Sequence, residues 1–139
     1  MARKDYSDTP LPKKLGIKQG SVVAFVGEPR SFRATLGPLP TESTIRARVR
    51  GPLDVIVSFD TRRSALRRRF RSLAEALDPS GGLWVAWPKK TSGVATDLSF
   101  EEVQSIGLEA GLVDNKSCSI DEDWQALRFV IRREDRPRS

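Results

Sequence analysis

Three stretches of this chain are apolar on both faces, the pattern of strands buried in the middle of a sheet. They are Ser21-Val22-Val23-Ala24-Phe25-Val26, Leu53-Asp54-Val55-Ile56-Val57-Ser58-Phe59 and Leu83-Trp84-Val85-Ala86-Trp87. Thr44-Ile45-Arg46-Ala47-Arg48-Val49 instead alternates polar with apolar positions and reads as a more exposed strand. Between the second and third buried strands, Leu66, Phe70, Leu73 and Leu77 recur at helical spacing and place one apolar stripe against the sheet. That helix is expected to be capped by Asp60 or Thr61 and stopped by Asp78-Pro79-Ser80-Gly81-Gly82. Residues 30–36 make a short helix, and Leu11-Pro12-Lys13-Lys14-Leu15 makes a single turn. Ser99 with Glu102 forms a capping box for a further helix ending near Gly111. Residues 113–120 and 126–132 are two closing strands, joined through Asp121-Glu122-Asp123-Trp124 as an antiparallel hairpin.

Strands alternating with helices specify an α/β domain. The expected architecture is a Rossmann-like, open, mostly parallel sheet with right-handed crossovers and a C-terminal antiparallel hairpin. The expected organisation is a polar lead-in with a short basic element over residues 1–20, one α/β domain over 21–133 and a polar tail over 134–139. A chain of 139 residues suits one hydrophobic core.

Composition removes much chemistry. There is no histidine and one cysteine, Cys118. Serine–histidine and cysteine–histidine nucleophiles, internal disulfides and cysteine-rich zinc sites are thereby excluded. No compact acidic cluster suggests a magnesium site, so neither a metal nor a catalytic residue is assigned. No apolar run reaches the roughly 18 residues of a membrane span. The basic start Met1-Ala2-Arg3-Lys4 has no apolar stretch behind it, so the expected location is the cytoplasm, without membrane contact.

The net charge is +6. Arg46, Arg48, Arg50, Arg62, Arg63 and Arg67 crowd one segment with Arg68, Arg69 and Arg71, a candidate patch for anions or nucleic acid. Arg62 and Arg63 stand in the first turn of their helix, where the dipole disfavours cations, so a phosphate or a carboxylate such as Asp60 is expected to offset them. No aromatic interleaves these arginines for base stacking, so a solvated helix face competes with the nucleic-acid reading.

In an open α/β sheet, ligands bind beyond the carboxyl ends of the strands. That rule nominates Gly27, Glu28, Asp60, Trp87, Lys89 and Lys90, with Ser92, Thr96 and Asp97 on a loop able to fold over them. Lysines, hydroxyls and one carboxylate suit an anionic small molecule. The competing reading has Trp87 in the core, Asp97 or Ser99 as a helix cap and the lysines in water.

The run Leu77-Asp78-Pro79-Ser80-Gly81-Gly82-Leu83-Trp84-Val85 resembles the approach to the fifth strand of S-adenosylmethionine-dependent methyltransferases of class I. The chain as a whole resembles a bacterial family of short proteins classed as a domain of unknown function. The matching segments are Thr9-Pro10-Leu11-Pro12-Lys13-Lys14-Leu15-Gly16-Ile17, Trp87-Pro88-Lys89-Lys90-Thr91-Ser92-Gly93-Val94-Ala95-Thr96-Asp97-Leu98 and Ile120-Asp121-Glu122-Asp123-Trp124. Gln125-Ala126 stands where Ser-Gly is expected. The resemblance implies a shortened methyltransferase-like fold and assigns no activity. Methyltransferases of this class carry a glycine-rich loop after the first strand and an acid at the end of the second. Here Gly27-Glu28-Pro29 and Arg48-Val49-Arg50 occupy those places. The expected function is therefore a non-catalytic domain binding an anionic small molecule or a protein partner at the carboxyl edge. An S-adenosylmethionine-dependent methyltransferase and a non-specific nucleic-acid binder are the alternatives.

Overall fold

The structure is a computed structural model and describes residues 9–136. The start of the expected lead-in, residues 1–8, and the end of the expected tail, residues 137–139, lie outside the described residues. The strands are β1 (Val22–Val26), β2 (Thr44–Arg46), β3 (Leu53–Phe59), β4 (Leu77–Pro88), β5 (Leu112–Ser119) and β6 (Trp124–Ile131). The helices are α1 (Leu11–Lys14), α2 (Phe32–Leu36), α3 (Arg63–Glu75) and α4 (Phe100–Glu109). They build one six-stranded sheet in the order β2-β1-β3-β4-β6-β5. The first four strands are parallel, and β6 runs antiparallel between β4 and β5. The expected Rossmann-like fold with a closing hairpin is what the chain adopts.

Strand alternation sends the two sets of apolar side chains to opposite faces of the sheet. On one face, Leu66, Phe70 and Leu73 of α3 and Val103 and Ile106 of α4 cover Ile56, Leu83, Val85 and Phe129. On the other, α1 and α2 lay Leu11, Leu15, Phe32 and Leu36 over Val23, Phe25, Val57 and Trp84. The basic element read as a lead-in is thus part of the core. Leu15 is fully buried, and its carbonyl accepts a 2.9 Å hydrogen bond from the Trp84 indole nitrogen. Burying a leucine side chain contributes about 1.5–3 kcal/mol, enough to hold a four-residue helix that would not persist alone.

Local patterns misplace some boundaries. Leu77 continues the helical spacing but belongs to β4, because Leu53 N–H donates to Ala76 O at 2.8 Å and draws the chain into the sheet. Residues 78–81 do not break the strand either. Leu77 pairs with Leu53 and Gly82 with Val55, so the intervening residues bulge out of β4. Within that bulge the Asp78 carboxylate accepts from Ser80 Oγ (2.6 Å) and N–H (3.0 Å), bonds that hold its pKa below the usual range. The strand expected over residues 44–49 is only Thr44–Arg46. Neither Asp60 nor Thr61 caps α3: Arg62 holds that position, and the Asp97 carboxylate reaches Arg63 N–H at 2.7 Å from the loop before α4.

Helix α4 approaches the sheet at a glycine. A Cβ on Gly107 would run into the ring of Phe129, itself fully buried and edge-on to Phe70 at 5.4 Å. An exposed helical glycine gains about 1 kcal/mol on becoming alanine. Gly107→Ala is expected to reverse that sign and lose about 1–3 kcal/mol through overpacking. Urea unfolding measures it, and an unchanged midpoint would refute the close contact.

Candidate functional site at the carboxyl edge

The strand order creates a topological switch between β1 and β3, since the chain leaves β1 for β2 on one side and returns for β3 on the other. Ligands of open α/β sheets enter at such points. Gly27 ends β1 there with φ of 69°, a conformation that favours glycine. A Cβ on it would stand 3.0 Å from Phe59 O and 3.9 Å from a terminal nitrogen of Arg69. The two strand ends therefore close together, with the Arg69 guanidinium beside them.

Arg69 is the residue that the sequence reading left out of the site. Its terminal nitrogen donates to Phe59 O at 3.2 Å and forms a hydrogen-bonded ion pair with Asp60. Asp60 has no exposed side-chain surface and accepts a second bond, 2.8 Å, from Ser58 Oγ. A buried carboxylate needs such partners, because desolvation opposes its charge. Arg69 Nε is buried too and has no partner among the described residues. The signal in the sequence was its spacing: Arg69 follows Leu66 by three and precedes Phe70 by one, at the margin of the buried stripe.

Glu28, next along the chain, pairs with Arg33 of α2 at 3.0 Å. Such an exposed pair contributes about 0–1 kcal/mol, so Glu28 is readily released to another partner.

The remaining candidates hold the scaffold. Trp87 is buried in the core, with Phe100 at its edge. Lys89 Nζ donates to Ser119 Oγ (2.6 Å) and Asp121 O (2.7 Å), and its N–H to Asp123 O (2.8 Å), tying β4 to the β5–β6 turn. Asp121 in turn accepts from the N–H groups of Asp123 and Trp124, which sets that turn. Lys90 is exposed. Ser92 closes a local turn onto Val94 N–H. The loop 91–98 is lashed to the start of α3: Thr96 Oγ1 donates to Thr61 O at 2.7 Å, and Asp97 caps the helix. The Ser92 and Thr96 hydroxyls and one Asp97 oxygen are thus already engaged within the fold. Ser99 caps α4 through Glu102 N–H as expected, but the Glu102 carboxylate pairs with Arg63 rather than closing the box.

The arginine segment is partly neutralised. Arg63 meets Glu102, Arg67 meets Glu109 at 3.5 Å and Arg69 meets Asp60. Asp97 and Glu102, not Asp60, therefore answer the positive first turn of α3. Arg62, Arg48 and Arg50 are exposed, and Arg46 donates to Arg50 O. Among the described residues no three His, Cys, Asp or Glu side chains assemble as a metal set, and no helix is long and apolar enough to cross a membrane.

Cys118 lies half-buried on β5, and desolvation pushes its thiol up to about 11 against the opposing pull of Lys14 and Lys89. Since the thiolate is the reactive form, labelling by a thiol reagent should be slow at neutral pH and rise about tenfold per pH unit toward that value. Labelling in the native state as fast as in urea would contradict this.

No protein-family model and no curated protein matches the chain. Solved structures do. A putative type 11 methyltransferase from Sulfolobus solfataricus superposes with a TM-score of 0.65 at 10% identity, over 99% of this chain and 98% of its own. An S-adenosylmethionine-dependent methyltransferase from Aquifex aeolicus gives 0.61 at 14% identity, over 86% and 87%. Magnesium protoporphyrin IX methyltransferase from Synechocystis, with S-adenosylhomocysteine bound, gives 0.58 at 10% identity, over 95% and 90%. At these identities the likeness shows the fold, and the fold is that of the S-adenosylmethionine-dependent methyltransferases.

Proposed function

We propose that the chain is an S-adenosylmethionine-dependent methyltransferase whose cofactor binds over the carboxyl ends of β1 and β3, beside Gly27, Asp60 and Arg69. The neighbours favour this reading over a purely non-catalytic domain, since the structures that superpose along nearly the whole chain are methyltransferases. Fold alone does not carry function. The observation that carries the reading is Arg69, whose partly exposed side chain brings a guanidinium beside Gly27.

The donor set suits one end of the cofactor better than the other. Arg69 matches the carboxylate of the methionine portion through its guanidinium charge. Glu28, once released by Arg33, accepts from the ammonium or from ribose hydroxyls. Bound there, the cofactor supplies an electrophilic methyl group. Asp60 has one oxygen on Ser58 and the other on Arg69, so it positions Arg69 and is not free to act as a base.

Calorimetric titration with S-adenosylmethionine and S-adenosylhomocysteine tests the reading. Saturable binding, weakened about tenfold by Glu28→Gln, is the expected result. No heat with either ligand at two temperatures would remove it.

A second reading, an anion held at this edge without methyl transfer, is favoured by the end of β2. The chain brings exposed Arg46 and Arg48 there instead of an acid. Binding of an anion that Arg48→Gln weakens, in a protein that ignores both adenosyl ligands, would establish it.

A further inference from the structure

The opposite, amino edge of the sheet carries a concavity of about 360 Å³. It lies on the face covered by α1, between that helix's exit and the starts of β3 and β4. Asp54 lines it and Asp60 marks the other edge of the same strand. Six steps along β3 separate the two by about 20 Å. The concavity is therefore remote from Gly27 and Arg69, and nothing about it depends on methyl transfer.

Four cations line it, Lys14, Lys18, Lys116 and Arg128, against one carboxylate, Asp54. One oxygen of Asp54 is already taken by Val22 N–H at 2.8 Å. Among the described residues none of the four cations forms an ion pair. Two stand directly opposite one another, since Lys116 of β5 pairs in register with Arg128 of β6. Like charges so placed are destabilising. The sheet nevertheless builds the arrangement. Asn115 slips out of register beside Lys116, and its side-chain oxygen accepts from Arg128 at 3.3 Å. On the other side Arg128 lies against Gly82, where any Cβ would collide with the guanidinium. Burial and the charge of Arg136 push the Arg128 pKa down, so its charge is held there at a cost.

We infer that this amino-edge concavity is a second binding site, for a phosphate group carrying two or more negative charges. A single carboxylate would leave most of the positive charge unmatched. A polyphosphate accepts from several donors at once, and Arg128, fixed between Gly82 and Asn115, offers a preset fork for it. The size falls at the lower end of the roughly 300–1,000 Å³ typical of ligand pockets. Ser80 and Asn115 add neutral groups at its wall.

The test uses the full chain at low and moderate salt, with inorganic pyrophosphate and a single-stranded oligonucleotide as separate probes in calorimetry. Saturable pyrophosphate binding is expected, weakened about tenfold or more by Lys116→Gln and by Arg128→Gln. Lys116 is exposed, so that variant leaves the core untouched. Arg30→Gln, an exposed cation that does not line the concavity, should leave this affinity unchanged. Oligonucleotide binding alone, lost in Lys116→Gln and falling steeply with salt, would overturn the proposal, because each backbone phosphodiester carries a single charge. Absence of binding by both probes, or binding indifferent to both pocket variants, would overturn the site.

Discussion

Arg69→Met should destabilise the protein by about 2–4 kcal/mol, although it removes only a half-exposed side chain. Methionine keeps most of the aliphatic stem, so lost burial is a small part of the effect. The rest comes from Asp60. Its side chain is wholly buried, and without Arg69 it keeps one hydrogen bond, from Ser58 Oγ. Removing one partner of a buried pair costs about 3–5 kcal/mol, because the other charge stays in place without compensation. The lower range here reflects the 37% exposure of the Arg69 side chain, which lets water reach the pair. Urea unfolding reads the loss. Asp60→Asn combined with Arg69→Met should recover much of it, since no charge is then left stranded. If the double variant is as unstable as the sum of the singles, the pair is not the cause. Arg69→Met should also weaken binding of an adenosyl cofactor at the proposed site, because it removes the cation assigned to the carboxylate. Glu28→Gln, whose exposed ion pair contributes little to stability, separates that loss from unfolding.

Trp84→Ala should lose about 3–5 kcal/mol, the range for emptying a large buried aromatic site. Trp84 is 1% exposed, sits mid-strand in β4 and spans the face under α1. It also makes the hydrogen bond to Leu15 O that ties the start of the domain to the sheet. Trp84→Phe divides the two contributions: it retains most of the apolar volume but strands a buried carbonyl, for an expected loss of about 1–3 kcal/mol. Hydrogen exchange at residues 13–17 should rise more than exchange in β3 in the phenylalanine variant. Uniform loss of protection would mean that α1 is not separately tethered through the indole. Since Trp84 also lines the amino-edge concavity, the alanine variant should lose pyrophosphate binding as well.

Strand identity was legible because a buried strand must be apolar on both faces, and β1, β3 and the second half of β4 are. The closing hairpin was legible through two alternating runs around Asp121, whose carboxylate accepts from the backbone of its own turn. Boundaries were harder. Leu77 fits the helical stripe and the strand equally well, and a hydrogen bond from Leu53 settles the matter. The carboxylate that serves the start of α3 is Asp97, more than thirty residues away, while neither Asp60 nor Thr61 nearby takes the role. The candidate site shows the same division. Gly27, Glu28 and Asp60 follow from the rule that strand ends carry ligands, and they do gather at the switch point. Lys89, Thr96 and Asp97 follow from the same rule but are consumed in holding loops, which their chemistry permits equally.

The sequence by itself therefore determined the order and type of the elements, the α/β class, and the absence of histidine and disulfide chemistry. These follow from composition and short-range periodicity, because each element must bury its own apolar face. Only the tertiary structure decided which charges are spent and which are left over. Asp60 became a partner for Arg69, Lys89 a strut, and four cations from three separate segments the lining of one concavity. Pairing of this kind depends on register and crossover across the sheet. A residue's type fixes what it can bond, while its neighbours in space fix whether that capacity is still free.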